Sequence, residues 1–246
     1  MTKYDIEPKK NPPDFSYDKG DKQEQDYIKG FLLLLQTFYD KYKHKSPDYV
    51  ISNVEDYTKK TEKDYLKRNQ KLKTFYNDTR TDTLVEHGIV KGKVKQLKNS
   101  NPDELDYLID EQNTTSKSII GMLGLGLLSK AQRSKYRNLE GAYNIDSNFR
   151  TAVNRTQDMS FTGLKEAIQN ARQTGLVDLY GDPMMQWITM QDDDVCADCL
   201  AIEEDSPLRM SQMPNPPIHP NCRCIKELVN EDDLVLTAAA FALSRY

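Results

Sequence analysis

The chain has 246 residues, of which 29% are charged and 37% hydrophobic, and its formal charge is −4. This charge argues against a protein that coats nucleic acid through overall positive charge, although it leaves room for a local basic patch. The longest apolar runs, residues 31–35 and the glycine-broken residues 119–128, are far shorter than the roughly 20 residues of a membrane-spanning helix. Residues 1–30 lack the apolar stretch of a signal peptide, so we expect a soluble protein that stays in a cytosol and has no membrane partner.

The N-terminal half predicts an arm followed by helices. Residues 1–21 are rich in Lys, Asp and Pro, which predicts a disordered arm or one that orders on a partner. From Lys22 onward, apolar residues recur at helical spacing and predict a first helix. Their positions are Tyr27, Phe31, Leu34, Leu35, Phe38 and Tyr42. Ser46 and Pro47 are typical of the N-cap and first residue of a second helix, which could run, with or without an interruption, toward Lys98.

The segment from Lys59 to Lys98 is strongly basic, with twelve Lys and Arg residues against five Asp and Glu residues. One interpretation is a solvated helix face, which is the ordinary place for such a run of charges. The other is a surface that contacts DNA or an acidic partner. The sequence leaves both interpretations open.

Further elements are expected toward the C-terminus. Residues 118–128 are apolar but contain three glycines, which favour a close helix–helix contact or a hinge. Asp146, or the serine after it, is expected to cap a further helix, and Gly175 is expected to end it. Residues 184–190 carry β-favouring side chains around the single tryptophan and predict a strand. Residues 234–243 predict a short terminal helix rich in Ala and Leu.

All four cysteines lie close together in the sequence, and one of the three histidines lies among them. Cys196 and Cys199 form a two-thiol knuckle, and His219, Cys222 and Cys224 follow after a loop. Zinc takes four such ligands in a tetrahedron, so these five donors compete for four places. Either one of Cys222 and Cys224 is spare, or a thiol replaces His219.

Metal chemistry at this cluster is expected to be structural. A catalytic zinc keeps an open position near a general base, whereas these donors suffice to close the shell with protein atoms. Zinc binding in small modules contributes on the order of 10–16 kcal/mol, enough to hold the proline-rich residues 200–218 in place. The acids from Asp192 to Asp194 are expected to form a solvated turn or to support the metal site, with Arg223 pairing with one of them.

Together these patterns predict a mainly α fold with a small α+β C-terminal module that zinc stabilises, and an elongated, helical N-terminal region. The expected organisation is an arm over residues 1–21, a helical interaction region over 22–147, a Cys/His module over 148–230 and a terminal helix or tail over 231–246.

The order of motifs in the C-terminal module resembles a known family. The motifs are FRTAVNRTQ at 149–157, WIT at 187–189, DDVCADC at 193–199 and PPIHPNCRC at 216–224. This order resembles the C-terminal module of the phage Mu protein F-like family of head morphogenesis, or minor head, proteins over residues 148–228. The CxxC followed by PPxHPxCRC is the most specific part. Gln157 stands where the family more often has Glu, and Glu203 lies in a segment where the family commonly has a glycine.

The resemblance implies a structural virion component of a bacteriophage, present in few copies at the portal vertex or inside the head. Such a minor capsid protein would support head assembly and DNA packaging or delivery without catalysing a reaction. Its expected partners are the portal protein and other head or connector proteins, with packaged DNA lying near the basic segment from Lys59 to Lys98. During assembly it would be found in the host cytoplasm.

Two other classes of function compete with this expectation. A metal-dependent nuclease or another DNA-processing enzyme is the alternative, because zinc knuckles also scaffold such active sites. Nicking of plasmid DNA with Mg²⁺ that is lost in Asp193→Ala would favour the enzyme. A zinc-finger regulator is disfavoured, because groove-reading fingers need Arg and Lys beside their metal ligands and this knuckle has acidic neighbours.

Overall fold

The structure, a computed structural model, describes residues 13–15, 22–89, 91–96, 103–137, 144–191, 195–219 and 222–229. These described residues are mostly helical, at 75%, with a small three-stranded antiparallel sheet near the C-terminus. This confirms the mainly α fold with a small α+β part that the sequence predicts. Most of the predicted N-terminal arm, and the predicted helix over residues 234–243, lie outside the described residues.

The elements follow one another as helices first and a small sheet last. The described helices are α1 (Lys22–Tyr42), α2 (Pro47–Asn69), α3 (Leu72–Glu86), α4 (Glu104–Arg137), α5 (Asp146–Tyr180) and α6 (Ala197–Asp205). Short 3-10 helices cover Lys91–Gln96 and Met210–Gln212. The strands are β1 (Met184–Ile188), β2 (Leu208–Arg209) and β3 (Ile225–Leu228). None of the described helices is both long and apolar enough to cross a membrane.

The first two helices form where the sequence predicts them. The apolar stripe of α1 is buried, apart from Leu34, which is half-buried. Ser46 caps α2, since its hydroxyl oxygen accepts a hydrogen bond from the Tyr49 N–H at 3.4 Å, and Pro47 is the first helical residue. The helical pattern that follows is interrupted at residues 70–71, where α2 gives way to α3.

The chain divides into two compact units. The first comprises residues 1–71 and 109–161, and it packs α1 and α2 with parts of α4 and α5. The Phe38 ring of α1 lies edge-on to Phe149 of α5, with ring centroids 5.5 Å apart. Helix α4 approaches α2 closely at Gly124, where a Cβ atom would lie 2.8 Å from Thr58 Cγ2. The glycine-rich segment therefore makes a close helix–helix contact at this position.

The second unit comprises residues 72–108 and 162–246, and it includes α3, the remaining parts of α4 and α5, and the sheet. Arg80 of α3 pairs with Asp178 of α5, with Nη2 and Oδ2 2.5 Å apart and both side chains largely buried. The Tyr76 hydroxyl donates to Thr174 Oγ1 at 2.9 Å. These polar contacts join α3 to the second half of α5.

The expectation that α5 ends at Gly175 is wrong, because the helix continues to Tyr180. Gly175 packs against α3 instead, and a Cβ atom there would lie 3.1 Å from Thr83 Cγ2. The residue that follows the helix is Gly181, whose φ of 75° is the left-handed conformation typical of helix C-termini. A glycine needed for close packing and a glycine that ends a helix look alike in the sequence.

The sheet has the order β2-β1-β3, and β1 is antiparallel to both neighbours. Strand β1 covers Met184–Ile188, within the predicted strand. Trp187 pairs with Lys226 of β3. Because side chains alternate between the faces of a strand, Met185 and Trp187 share one face, and both are buried. The sheet therefore places the only tryptophan of the chain at the centre of this core.

Candidate metal centre

The five predicted donors lie around the N-terminus of α6 and the segment that leads into β3. Cys196 is the N-cap of α6, and its Sγ accepts a hydrogen bond from the Cys199 N–H at 3.4 Å. This turn brings the two thiols of the CxxC motif together. His219 and Cys222 belong to a second turn, in which the Cys222 N–H donates to the His219 carbonyl at 3.1 Å. Cys224 directly precedes β3.

The donors form two overlapping sets of three, and the ligand atoms of each set lie within 4.8 Å of one another. One set is Cys196, Cys199 and His219, and the other is Cys199, Cys222 and Cys224. Since Cys199 belongs to both sets, all five residues chosen from the sequence meet around its sulfur. Together these residues could hold a metal ion.

The distances between donor atoms are close to those around a tetrahedral ion. Zinc–sulfur and zinc–nitrogen bonds of about 2.3 and 2.0 Å place two sulfurs about 3.8 Å apart, and a sulfur and a nitrogen about 3.5 Å apart. The Sγ atoms of Cys199 and Cys222 are 3.9 Å apart. His219 Nε2 lies 3.2 Å from Cys196 Sγ and 3.4 Å from Cys199 Sγ. All four cysteines are free, so the cluster contains no disulfide bond.

This geometry defines a Cys/His cluster. Comparison with known proteins found no matching family model, no matching curated protein and no matching solved structure. The chemistry that the cluster supports therefore follows from its own residues.

Burial and hydrogen bonding shift the pKa values of the thiols in opposite directions. Burial raises the pKa of Cys199 above its ordinary value, and it also raises the pKa of Cys224. At Cys196, the hydrogen bond from the Cys199 N–H lowers the pKa. A metal ion binds thiolates and displaces their protons. An ion at this cluster would thus supply the positive charge that the two buried sulfurs need in order to ionise.

A hydrophobic core encloses the second set of donors. Cys199, Cys222 and Cys224 are 1%, 3% and 7% exposed, so water has little access to their sulfurs. The buried side chains that share this core are Leu176, Met185, Trp187, Met210 and Met213. Enclosure of this kind is typical of structural metal sites, whereas a catalytic site keeps a coordination position open to substrate.

Trp187 belongs to this site, although the sequence indicated only a strand residue. It is 0% exposed, and its indole Nε1 has no hydrogen-bond partner. Buried polar groups in proteins nearly always have a partner, so this donor calls for an explanation. The available signal in the sequence was modest: Trp187 is the only tryptophan, and it lies nine residues before Cys196.

An acid of α6 supports the loop around the cluster. The Glu203 carboxylate accepts hydrogen bonds from the Thr189 N–H at 2.9 Å and from the Thr189 hydroxyl at 2.8 Å, which joins α6 to the end of β1. The acids from Asp192 to Asp194, for which a supporting role was expected, lie outside the described residues. Arg223 is exposed, and its pairing with one of those acids stays a prediction.

The basic segment extends over both units, and some of its cations have structural partners. Lys59 pairs with Glu55, Arg68 donates to the Tyr27 carbonyl, Lys73 pairs with Asp106, and Arg80 pairs with Asp178. Lys60, Lys63 and Lys67 of α2 are exposed and lie at helical spacings of three and four, so they share one face of the helix. We call these three residues the α2 basic stripe.

Proposed function

We propose that the cluster binds one structural Zn²⁺ ion. Several thiolates with at most one imidazole form a soft ligand set that suits zinc. The observation that carries the proposal is the convergence of five donors at nearly tetrahedral separations, with every cysteine free. The bound ion would join the N-terminus of α6 to the segment before β3, and so stabilise the loop between them.

The zinc content of the purified protein tests this proposal. After reconstitution and dialysis, the wild-type chain is expected to hold one zinc ion, as measured by elemental analysis. Cys199→Ser is expected to lose the ion and to melt at a lower temperature, because it removes the donor that both sets share. Met190→Ser, a change at an exposed position outside the cluster, is the control and should retain the ion. A wild-type chain without stoichiometric zinc would contradict the proposal.

We propose that the chain is a structural component of a bacteriophage head, associated with the portal vertex and supporting head assembly and DNA packaging or delivery. Support comes from the order of motifs over residues 148–228, above all the CxxC followed by PPxHPxCRC. This order resembles that of the Mu protein F-like head morphogenesis proteins. In such a role the zinc-held loop is a rigid docking element, and the helices contact the portal protein or other connector proteins.

The composition of intact particles tests this role. Mass spectrometry of purified particles is expected to detect the chain in few copies, and electron microscopy without imposed symmetry is expected to place it at the portal vertex. Its absence from particles, or an even distribution over the shell, would contradict the proposal. Purified chain is also expected to leave plasmid DNA intact in Mg²⁺. Nicking that Asp193→Ala abolishes would instead support the nuclease.

A further inference from the structure

The single tryptophan carries a buried hydrogen-bond donor that lacks an acceptor. Trp187 is 0% exposed, and its Nε1 has no partner. An unpaired buried donor is costly, because folding removes the water that bonds it in the unfolded chain. An acceptor that forms next to Nε1 on ligand binding would remove this cost.

The register of the sheet identifies a candidate acceptor. Trp187 pairs with Lys226, and Cys224 precedes Lys226 by two residues. Burial alternates along residues 222–226, as expected for an extended segment, so Cys224 shares the buried face with Lys226. Cys224 is therefore the diagonal neighbour of Trp187, within reach of a large aromatic side chain. Both residues belong to the same core.

The charge of the sulfur decides how well it can serve as the acceptor that the Trp187 N–H lacks. A neutral thiol is a weak acceptor, whereas a metal-bound thiolate keeps negative charge that N–H donors stabilise. Cys196 has a comparable donor in the Cys199 N–H, at 3.4 Å.

We propose that Cys224 is one of the four metal ligands and that the Trp187 N–H donates to its thiolate, which makes Trp187 a positioning residue. The proposal rests on the proposed zinc site, and it assigns a ligand that the sequence leaves open. If Cys224 were spare, the indole N–H would face a neutral thiol in both the loaded and the unloaded protein.

Substitution of zinc by cobalt(II) tests the ligand assignment in the full chain. The sulfur-to-cobalt absorption in the near ultraviolet grows with the number of bound thiolates. Cys224→Ser is expected to lose the contribution of one thiolate relative to the wild type. A cobalt spectrum of Cys224→Ser equal to that of the wild type would overturn the proposal, and this result does not depend on any change at Trp187.

Trp187→Phe tests the N–H group, because it removes the donor and keeps an aromatic ring. We expect the variant to bind zinc about 10- to 100-fold more weakly in competition with a chromogenic chelator. In a Cys224→Ser background the same change is expected to cause no further loss. Met185→Leu, at a buried position on the same face of β1, controls for packing and should keep wild-type affinity.

The outcomes distinguish a failure of this proposal from a failure of the proposed zinc site. A Trp187→Phe chain with wild-type affinity, or one that loses equal affinity with and without Cys224, would overturn the role of the N–H. A wild-type chain that binds neither zinc nor cobalt would overturn both proposals. Stoichiometric binding together with an unchanged spectrum for Cys224→Ser would overturn the ligand assignment alone. If Trp187→Phe fails to fold by circular dichroism, the cobalt spectrum of Cys224→Ser still decides.

Discussion

Cys196 has two local roles in the structure. Its sulfur caps α6 through the Cys199 N–H, and it also lies 3.2 Å from His219 Nε2. The spacing of the cysteines predicts the second role, because few residue types bind zinc and they recur at short, fixed intervals. The sequence does not predict the first role, since Ser, Thr, Asp and Asn are the usual caps. Helix α6, with nine residues and an unusual cap, is accordingly not predicted.

Gly121 and Gly124 of α4 allow a matched test of close helix packing. A Cβ atom at Gly124 would lie 2.8 Å from Thr58 Cγ2, whereas one at Gly121 would meet nothing within 4 Å. Gly124→Ala is expected to destabilise the protein by about 1–3 kcal/mol, because it overpacks the contact with α2. Gly121→Ala is expected to stabilise it by about 0.5–1 kcal/mol, because alanine favours the helix more than glycine does.

Urea denaturation followed by circular dichroism measures both glycine variants. The midpoint should fall for Gly124→Ala and rise slightly for Gly121→Ala, relative to the wild type. If both substitutions raised the midpoint, the close approach of α4 to α2 at Thr58 would be wrong.

At the scale of elements, periodicity predicts long helices better than short pieces. The α1 stripe and the Ser46 cap are visible in the sequence because each repeats a strong local pattern. Strand β2 has two residues in a proline-rich segment and forms only by pairing with β1, so no local pattern predicts it. Gly175 is wrongly predicted to end α5, because only the packing against Thr83 shows what that glycine does.

The α2 basic stripe is the part of the basic segment on which we expect DNA to bind. A triple change to Gln at Lys60, Lys63 and Lys67 is expected to weaken binding to duplex DNA at low salt. It should reduce the slope of log affinity against log salt by about 3, since each phosphate contact contributes about 0.9. Fluorescence anisotropy over a salt series measures both effects.

A control for the α2 basic stripe removes the same number of charges elsewhere. Gln at Lys22, Lys29 and Lys117, all exposed on α1 or α4, lowers the net charge equally. This triple variant should bind DNA nearly as well as the wild type. Equal losses in the two triple variants would show that net charge matters and the stripe does not.

At the scale of the whole molecule, the sequence predicts which metal donors the chain contains better than it predicts how the chain divides into compact units. The donors of the cluster are apparent from residue type and spacing, and the structure brings all five together. The two units are not apparent, because each combines segments far apart in the chain and takes only part of α4 and of α5. Trp187 is likewise linked to Cys224 through the register of β1 and β3, which no local pattern reveals.

The short distances between the free thiols have a practical consequence for oxidation of the protein during storage. Cys199 and Cys222 need to approach by less than 2 Å, from 3.9 Å to roughly 2.05 Å, for dissolved oxygen to crosslink them. A chain from which a chelator has removed the proposed ion would therefore be prone to oxidation in air, and crosslinked chains would no longer accept the ion. Preparations should accordingly be kept with zinc or with a reductant. A low metal content then reflects the affinity of the chain and not oxidation of its thiols during purification.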